Sequence, residues 1–140
     1  MSTQTVKQGL VEAIEAALAL GETARAAELV GTIDAIPPGL QPPYLTAQAS
    51  RFHALLAGTD ESAESWFGAA ETGFEEIGVV FWQAVTLLQH CEWLVGQGRP
   101  DEASPLLAEA RETFERLEAT PWLDRLELAE AARSEAVVQA

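Results

Sequence analysis

The chain repeats itself at an interval of forty residues. Residues 57–82, AGTDESAESWFGAAETGFEEIGVVFW, slide without a gap onto residues 97–122, QGRPDEASPLLAEARETFERLEATPW. Gly58 lands on Gly98, Ala63 on Ala103, Ala70 on Ala110, Phe74 on Phe114, Glu75 on Glu115 and Trp82 on Trp122. Phe67 meets Leu107, and Ile77 meets Leu117. The coincidences fall on small residues and aromatics, where packing tolerates least change. A period of this length is the mark of a stacked repeat, in which each unit buries its apolar face only against its neighbours.

The units share an inner spacing. Counted from Gly98, Ala103 stands at +5, Leu107 at +9 and Ala110 at +12; from Gly58 the same offsets give Ala63, Phe67 and Ala70. From Gly21 they give Ala26, Val30 and Ile33, with Pro38 beyond, a more degenerate copy 37 residues before its neighbour. Steps of three and four keep residues on one helix face. The small residue lets another helix approach and the large one fills the space beside it. The glycine makes the turn between two antiparallel helices, where positive φ is inexpensive.

This grammar predicts helices at about 4–20, 23–35, 44–57, 61–77, 80–96, 100–118 and 121–137. Thr120-Pro121 and Pro100-Asp101-Glu102 are start signals, with proline in the first turn and acids at the positive helix end. The run Ile36-Pro37-Pro38-Gly39-Leu40-Gln41-Pro42-Pro43 cannot be helical and predicts a stiff connector. Pro105 either kinks a helix begun at Pro100 or leads a fresh start capped by Ser104. Val79 to Trp82 carries some strand character, but the repeat register assigns it to a turn and a helix start. The predicted fold is all-α: a right-handed array of three antiparallel helix pairs (about 4–38, 44–78 and 80–118) in one domain, closed by a capping helix at 121–137.

Two helices per unit, a glycine turn, and small–large–small residues at +5, +9 and +12 resemble the tetratricopeptide repeat. The stretch LLQHCEWLVGQGRPDEASPLLAEARETFERLEATPW is similar to the C-terminal repeat regions of actinobacterial nucleotide cyclases and LuxR-type ATP-binding transcriptional regulators. The family pattern places a small residue seven positions before the turn glycine. Cys91 fits it, whereas Arg51 and Ile14 depart from it. By resemblance the first helix of each unit lines a groove. The groove positions are then Glu12 and Glu15; Gln48, Ala49 and Phe52; and Leu88, Gln89 and Glu92. Trp93 is a further candidate if it is exposed.

Charge bounds the partners. Twenty-two acidic residues face eight basic ones, a formal net charge of −14. Lys7 and seven scattered arginines assemble no basic patch, which argues against nucleic acid and against anionic membranes. With 48% hydrophobic and 21% charged residues the chain is predicted to fold. Its longest apolar stretch, Ile77 to Leu88, is twelve residues, short of a membrane span. One cysteine and no signal-peptide pattern point to the cytoplasm.

No catalytic constellation emerges. His90 and Cys91 are adjacent and diverge by about 100° on a helix, so they cannot grip one metal. There is no Gly-Lys-Ser/Thr phosphate loop, and Gly96-Gln97-Gly98 has Asp101 where a dinucleotide fingerprint needs its third glycine. The expectation is a non-catalytic protein–protein interaction or scaffold module without cofactor or metal. It would hold a partner protein or peptide, basic in character because of Glu12, Glu15 and Glu92. The alternative is a regulatory or sensor fragment of a larger signalling protein of the cyclase or transcription-activator kind.

Overall fold

A computed structural model describes residues 3–139, with side chains from Gln8 to Gln139. The described residues form seven helices and no strand: α1 Thr3–Ala19, α2 Thr23–Asp34, α3 Pro43–Ala57, α4 Ser62–Glu76, α5 Val80–Gly96, α6 Pro100–Arg116 and α7 Thr120–Gln139. Helices α1/α2, α3/α4 and α5/α6 pair as hairpins, and each hairpin packs on the next. Pro100 occupies the first turn of α6, which runs unbroken through Pro105, so Ser104 begins no new helix. Val79 precedes α5 and Val80 opens it.

The repeat offsets mark the core. Ala26, Ala63, Ala70, Ala103 and Ala110 are all 0% exposed, and Val30, Phe67 and Leu107 are 1–2% exposed. Phe74 and Phe114, at +16, are fully buried. Phe114 stacks on Trp122 at 5.8 Å, with Phe81 edge-on to both rings. Phe74 meets Tyr44 at 6.3 Å, and Trp82 packs on the same cluster. The two repeated tryptophans thus fill equivalent junctions between successive units.

The turns are equivalent too. Gly98 has φ 75°, and the amides of Gly98 and Arg99 donate to Val95 and Leu94 carbonyls, tying off the α5 C-terminus. Between units, Gly78 sits at φ 69° and its counterpart Glu118 at φ 54°. The same left-handed turn is built once with glycine and once with a side chain that resists it.

A hydrogen-bonded side-chain contact recurs at every junction. Thirteen residues after each turn glycine, the second helix carries Asp34, Glu71 or Arg111. Asp34 meets His53 of α3 at 2.9 Å, Glu71 meets His90 of α5 at 2.7 Å, and Arg111 meets Glu130 of α7 at 2.5 Å. The second junction has a further clamp. Arg99 donates to both oxygens of Glu64 at 2.8 and 3.0 Å and to Glu102 at 2.6 and 2.7 Å. Gln97 Nε2 donates to the Thr59 carbonyl at 2.7 Å.

The first hairpin departs from the other two. Helix α2 ends five residues sooner after its turn than α4 and α6 do, because Pro37 and Pro38 stand where helix would continue. Thr46 of α3 is therefore exposed, while its counterpart Thr86 in α5 is buried beneath the longer α4. Gln41 spans part of the gap, donating to the Ile33 carbonyl at 2.9 Å and accepting from Thr46. A cleft of about 600 Å³ remains between α3 and α4, lined by Thr46, Ala47, Ser50, Gly73 and Ile77 among others. At the other end, α7 closes the array. It buries Leu126 and Ala129, and turns Asp124, Glu127 and Glu135 outward.

Candidate interaction face

The side-by-side helices α1, α3 and α5 meet at Arg51, whose side chain is completely buried. A buried cation must satisfy its donors or destabilise the fold. Arg51 Nε donates to Gln48 Oε1 at 3.0 Å, Nη1 to Gln89 Oε1 at 3.1 Å, and Nη2 to Glu15. Gln48 in turn donates to the Tyr44 hydroxyl at 3.1 Å. The guanidinium lies between the Phe52 and Trp82 rings, 4.5 and 4.7 Å from their centroids. Burial lowers the Arg51 pKa, and the Glu15 carboxylate opposes that fall. One residue from the middle unit therefore fastens the first helices of all three.

A second pair continues the line. Arg125 of α7 donates to both oxygens of Glu92 of α5, at 2.9 and 2.6 Å, and lies 5.4 Å over Trp122. These bonds raise the Arg125 pKa. Beside Glu92 a small recess of about 190 Å³ opens, lined by Val95, Leu128, Ala129 and Ala132. Leu128 is 73% exposed there, without an intramolecular cover for its side chain.

The predicted groove residues divide. Gln48, Phe52 and Leu88 are wholly buried, and Ala49 and Gln89 nearly so. They hold the units together and present almost no surface. Phe52 and Leu88 are apolar helix residues facing neighbouring helices on both sides; Gln48 and Gln89 turn inward because Arg51 is there. Glu15 and Glu92 are half-buried but bound to Arg51 and Arg125, so neither is a free acid for a basic peptide. Glu12 is exposed and accepts from Gln8 at 3.2 Å.

Trp93 lies away from this face. Its indole N–H donates to the Gly58 carbonyl at 2.8 Å, and its ring lies against Phe67 and beneath Arg99. It joins the second and third units. Arg51 is the residue that sequence reasoning passed over. It breaks the small-residue rule at its position, and that departure was the available signal. Only the fold reveals that Glu15, 36 residues away, and Gln89, 38 residues away, converge on it.

Cys91 is fully buried, and burial pushes its thiol up to about 12, far from thiolate at neutral pH. Its Sγ lies 3.3 Å from the Ala103 carbonyl, where it serves as a small packing residue. Among the described residues no three His, Cys, Asp or Glu side chains converge as a metal site, and no helix is long and apolar enough to cross a membrane. No family model matches the chain, and no curated protein or solved structure was found to be similar to it.

Proposed function

We propose that this chain is a non-catalytic, tetratricopeptide-like interaction module that holds a partner protein or peptide across the face formed by α1, α3, α5 and α7. The observation that carries the reading is the pairing of that face with itself. Arg51 and Arg125 absorb Glu15 and Glu92, which fixes the four helices relative to one another. A preorganised surface of this kind binds without first ordering its own side chains.

The same pairing changes the partner expected. With two of its three predicted acids neutralised in place, the face selects an apolar anchor rather than a basic segment. The recess beside Val95 and Leu128 is of side-chain size. The surplus carboxylates lie elsewhere, as with exposed Glu61 just before α4, Glu75 and Glu76 in its last turn, and Glu109 and Glu112 on α6. Their role is solubility and exclusion of acidic partners.

The test is a partner screen with matched variants. Leu128→Asp and Val95→Asp should abolish capture of a specific partner, while Glu75→Ala and Glu112→Ala on the second helices should leave it intact. Equal loss with both sets, or loss with the second set alone, would place the binding surface elsewhere.

A further inference from the structure

Helix α7 has the register of a first helix. Its Trp122 answers Trp82 of α5 at an interval of forty residues, and Thr120 opens it where Val80 opens α5. In each earlier first helix, three positions lie ten, seven and four residues before the turn glycine. In α1 they are Val11, Ile14 and Ala17, which share a core cluster with Ala26 and Val30 of α2. In α3 the last of them, Ala54, packs with Ala63 and Phe67 of α4. In α5 the middle one is Cys91, whose Sγ is 3.3 Å from the Ala103 carbonyl of α6. On this stripe a first helix receives the second helix of its own unit. Every one of its side chains in α1, α3 and α5 is buried.

Forty residues beyond the α5 positions, α7 carries Leu128, Ala131 and Ser134, and all three are exposed, Leu128 by 73%. Val138, one turn past Ser134, is 84% exposed. Helix α7 buries Leu126 and Ala129, and among the described residues no second helix covers its outer side. An unpartnered apolar stripe of this kind marks an interaction surface. Acids rim it. Asp124 lies one turn from Leu128, and Glu127 and Glu135 lie one turn to either side of Ala131, all three exposed. Among the described residues the ion pairs of α7 belong to Glu130 and Arg125, so these three carboxylates are unpaired.

We propose that the outer side of α7 docks a helix of a partner protein, with an apolar seam flanked by lysine or arginine, which completes a fourth unit as α6 completes the third. The seam follows from the stripe: Leu128 and Ala131 stand where Leu88 and Cys91 are buried in α5. The basic flanks follow from the three unpaired acids. A second copy of this chain fits poorly, because it would set the same acids against each other on chains of formal charge −14. This surface is the end of the array and does not rest on the face across α1, α3, α5 and α7. Leu128 borders both, whereas Val95 lines the recess and Ala131 does not.

The probe is a peptide of 17 residues, the length of α6, with Ala103, Leu107, Ala110 and Phe114 at their own spacing and lysine or alanine elsewhere. Titrated into the full chain at low salt, it should give saturable backbone amide shifts centred on α7. Ala131→Arg, at an exposed position, should weaken binding about tenfold or more. Val95→Asp should leave it unchanged, so this proposal and the partner face fail separately. Replacing the lysines of the peptide by glutamate should abolish binding, and scrambling its sequence should weaken it about tenfold or more. Absence of saturable binding, equal binding by the scrambled peptide, or no effect of Ala131→Arg overturns the proposal. Dimerisation of the chain that Ala131→Arg abolishes also overturns it, by making a second copy the occupant. Helical circular dichroism equal to that of the parent verifies that each variant is folded.

Discussion

Arg51 of α3 donates to Gln89 of α5 at 3.1 Å across a unit boundary, with its guanidinium completely shielded from solvent. Removing that group is expected to leave two glutamine amides short of partners as well as a void. Arg51→Ala should lower unfolding free energy by about 3 kcal/mol. Arg51→Met keeps the length without the charge and should cost less than half as much. Glu15→Gln strands the cation, but Glu15 is partly exposed, so its cost should be only about 1–2 kcal/mol. Urea unfolding of the three variants gives the order; a Met variant as weak as the Ala variant would show that the charge itself is essential.

Ala110 lies at the contact of α6 with its neighbours and has no exposed surface. Ala110→Trp should destabilise by about 1–3 kcal/mol or more, because a closely packed helix interface has no room for a ring. The thermal midpoint measures it, and an unchanged midpoint would mean that the helical register is wrong there.

Glu118 holds a positive φ that its counterpart Gly78 holds without strain. Glu118→Gly should therefore stabilise by about 0.5–1 kcal/mol, the relief of the left-handed conformation less the added freedom of the unfolded chain. Denaturant midpoints of the pair decide the sign.

The Arg99 clamp gives an acid dependence. Hydrogen bonds from Arg99 hold Glu64 and Glu102 below the ordinary glutamate value of 4.5. A carboxylate with a depressed folded pKa contributes its full stability above the unfolded value and loses it as pH falls through the folded one. Stability should thus begin to fall below about pH 4.5 as both groups protonate. Arg99→Gln should be less stable than the parent at neutral pH and converge with it in acid. Curves that stay parallel would dismiss the clamp.

Cys91 should resist a thiol reagent in the native chain at mildly alkaline pH and react promptly once unfolded, given a pKa pushed up to about 12. Rapid native labelling would indicate that α5 opens locally.

The helices and the core were legible because both follow from local spacing. The alanines at +5 and the large residues at +9 mark one face wherever they recur, and prolines or glycines punctuate most of the turns between elements. The groove residues were only partly legible for the opposite reason. A position counted from a turn glycine gives a helix face, yet it does not say whether that face meets water or a neighbouring unit. Phe52 and Leu88 meet neighbours, and Glu15 and Glu92 are claimed by arginines more than thirty residues away in sequence. Such partnerships depend on the angle between units, which the repeat spacing does not encode.

The early end of α2 has a mechanical consequence. Tension applied to the two ends of the chain would concentrate where the first hairpin overlaps least with the second, at the proline run, which Gln41 bridges to α2 alongside the Asp34–His53 contact. The N-terminal hairpin would peel away there first, exposing Arg51 to water, while the later units, gripped by full-length helices and the Arg99 clamp, would still bear load.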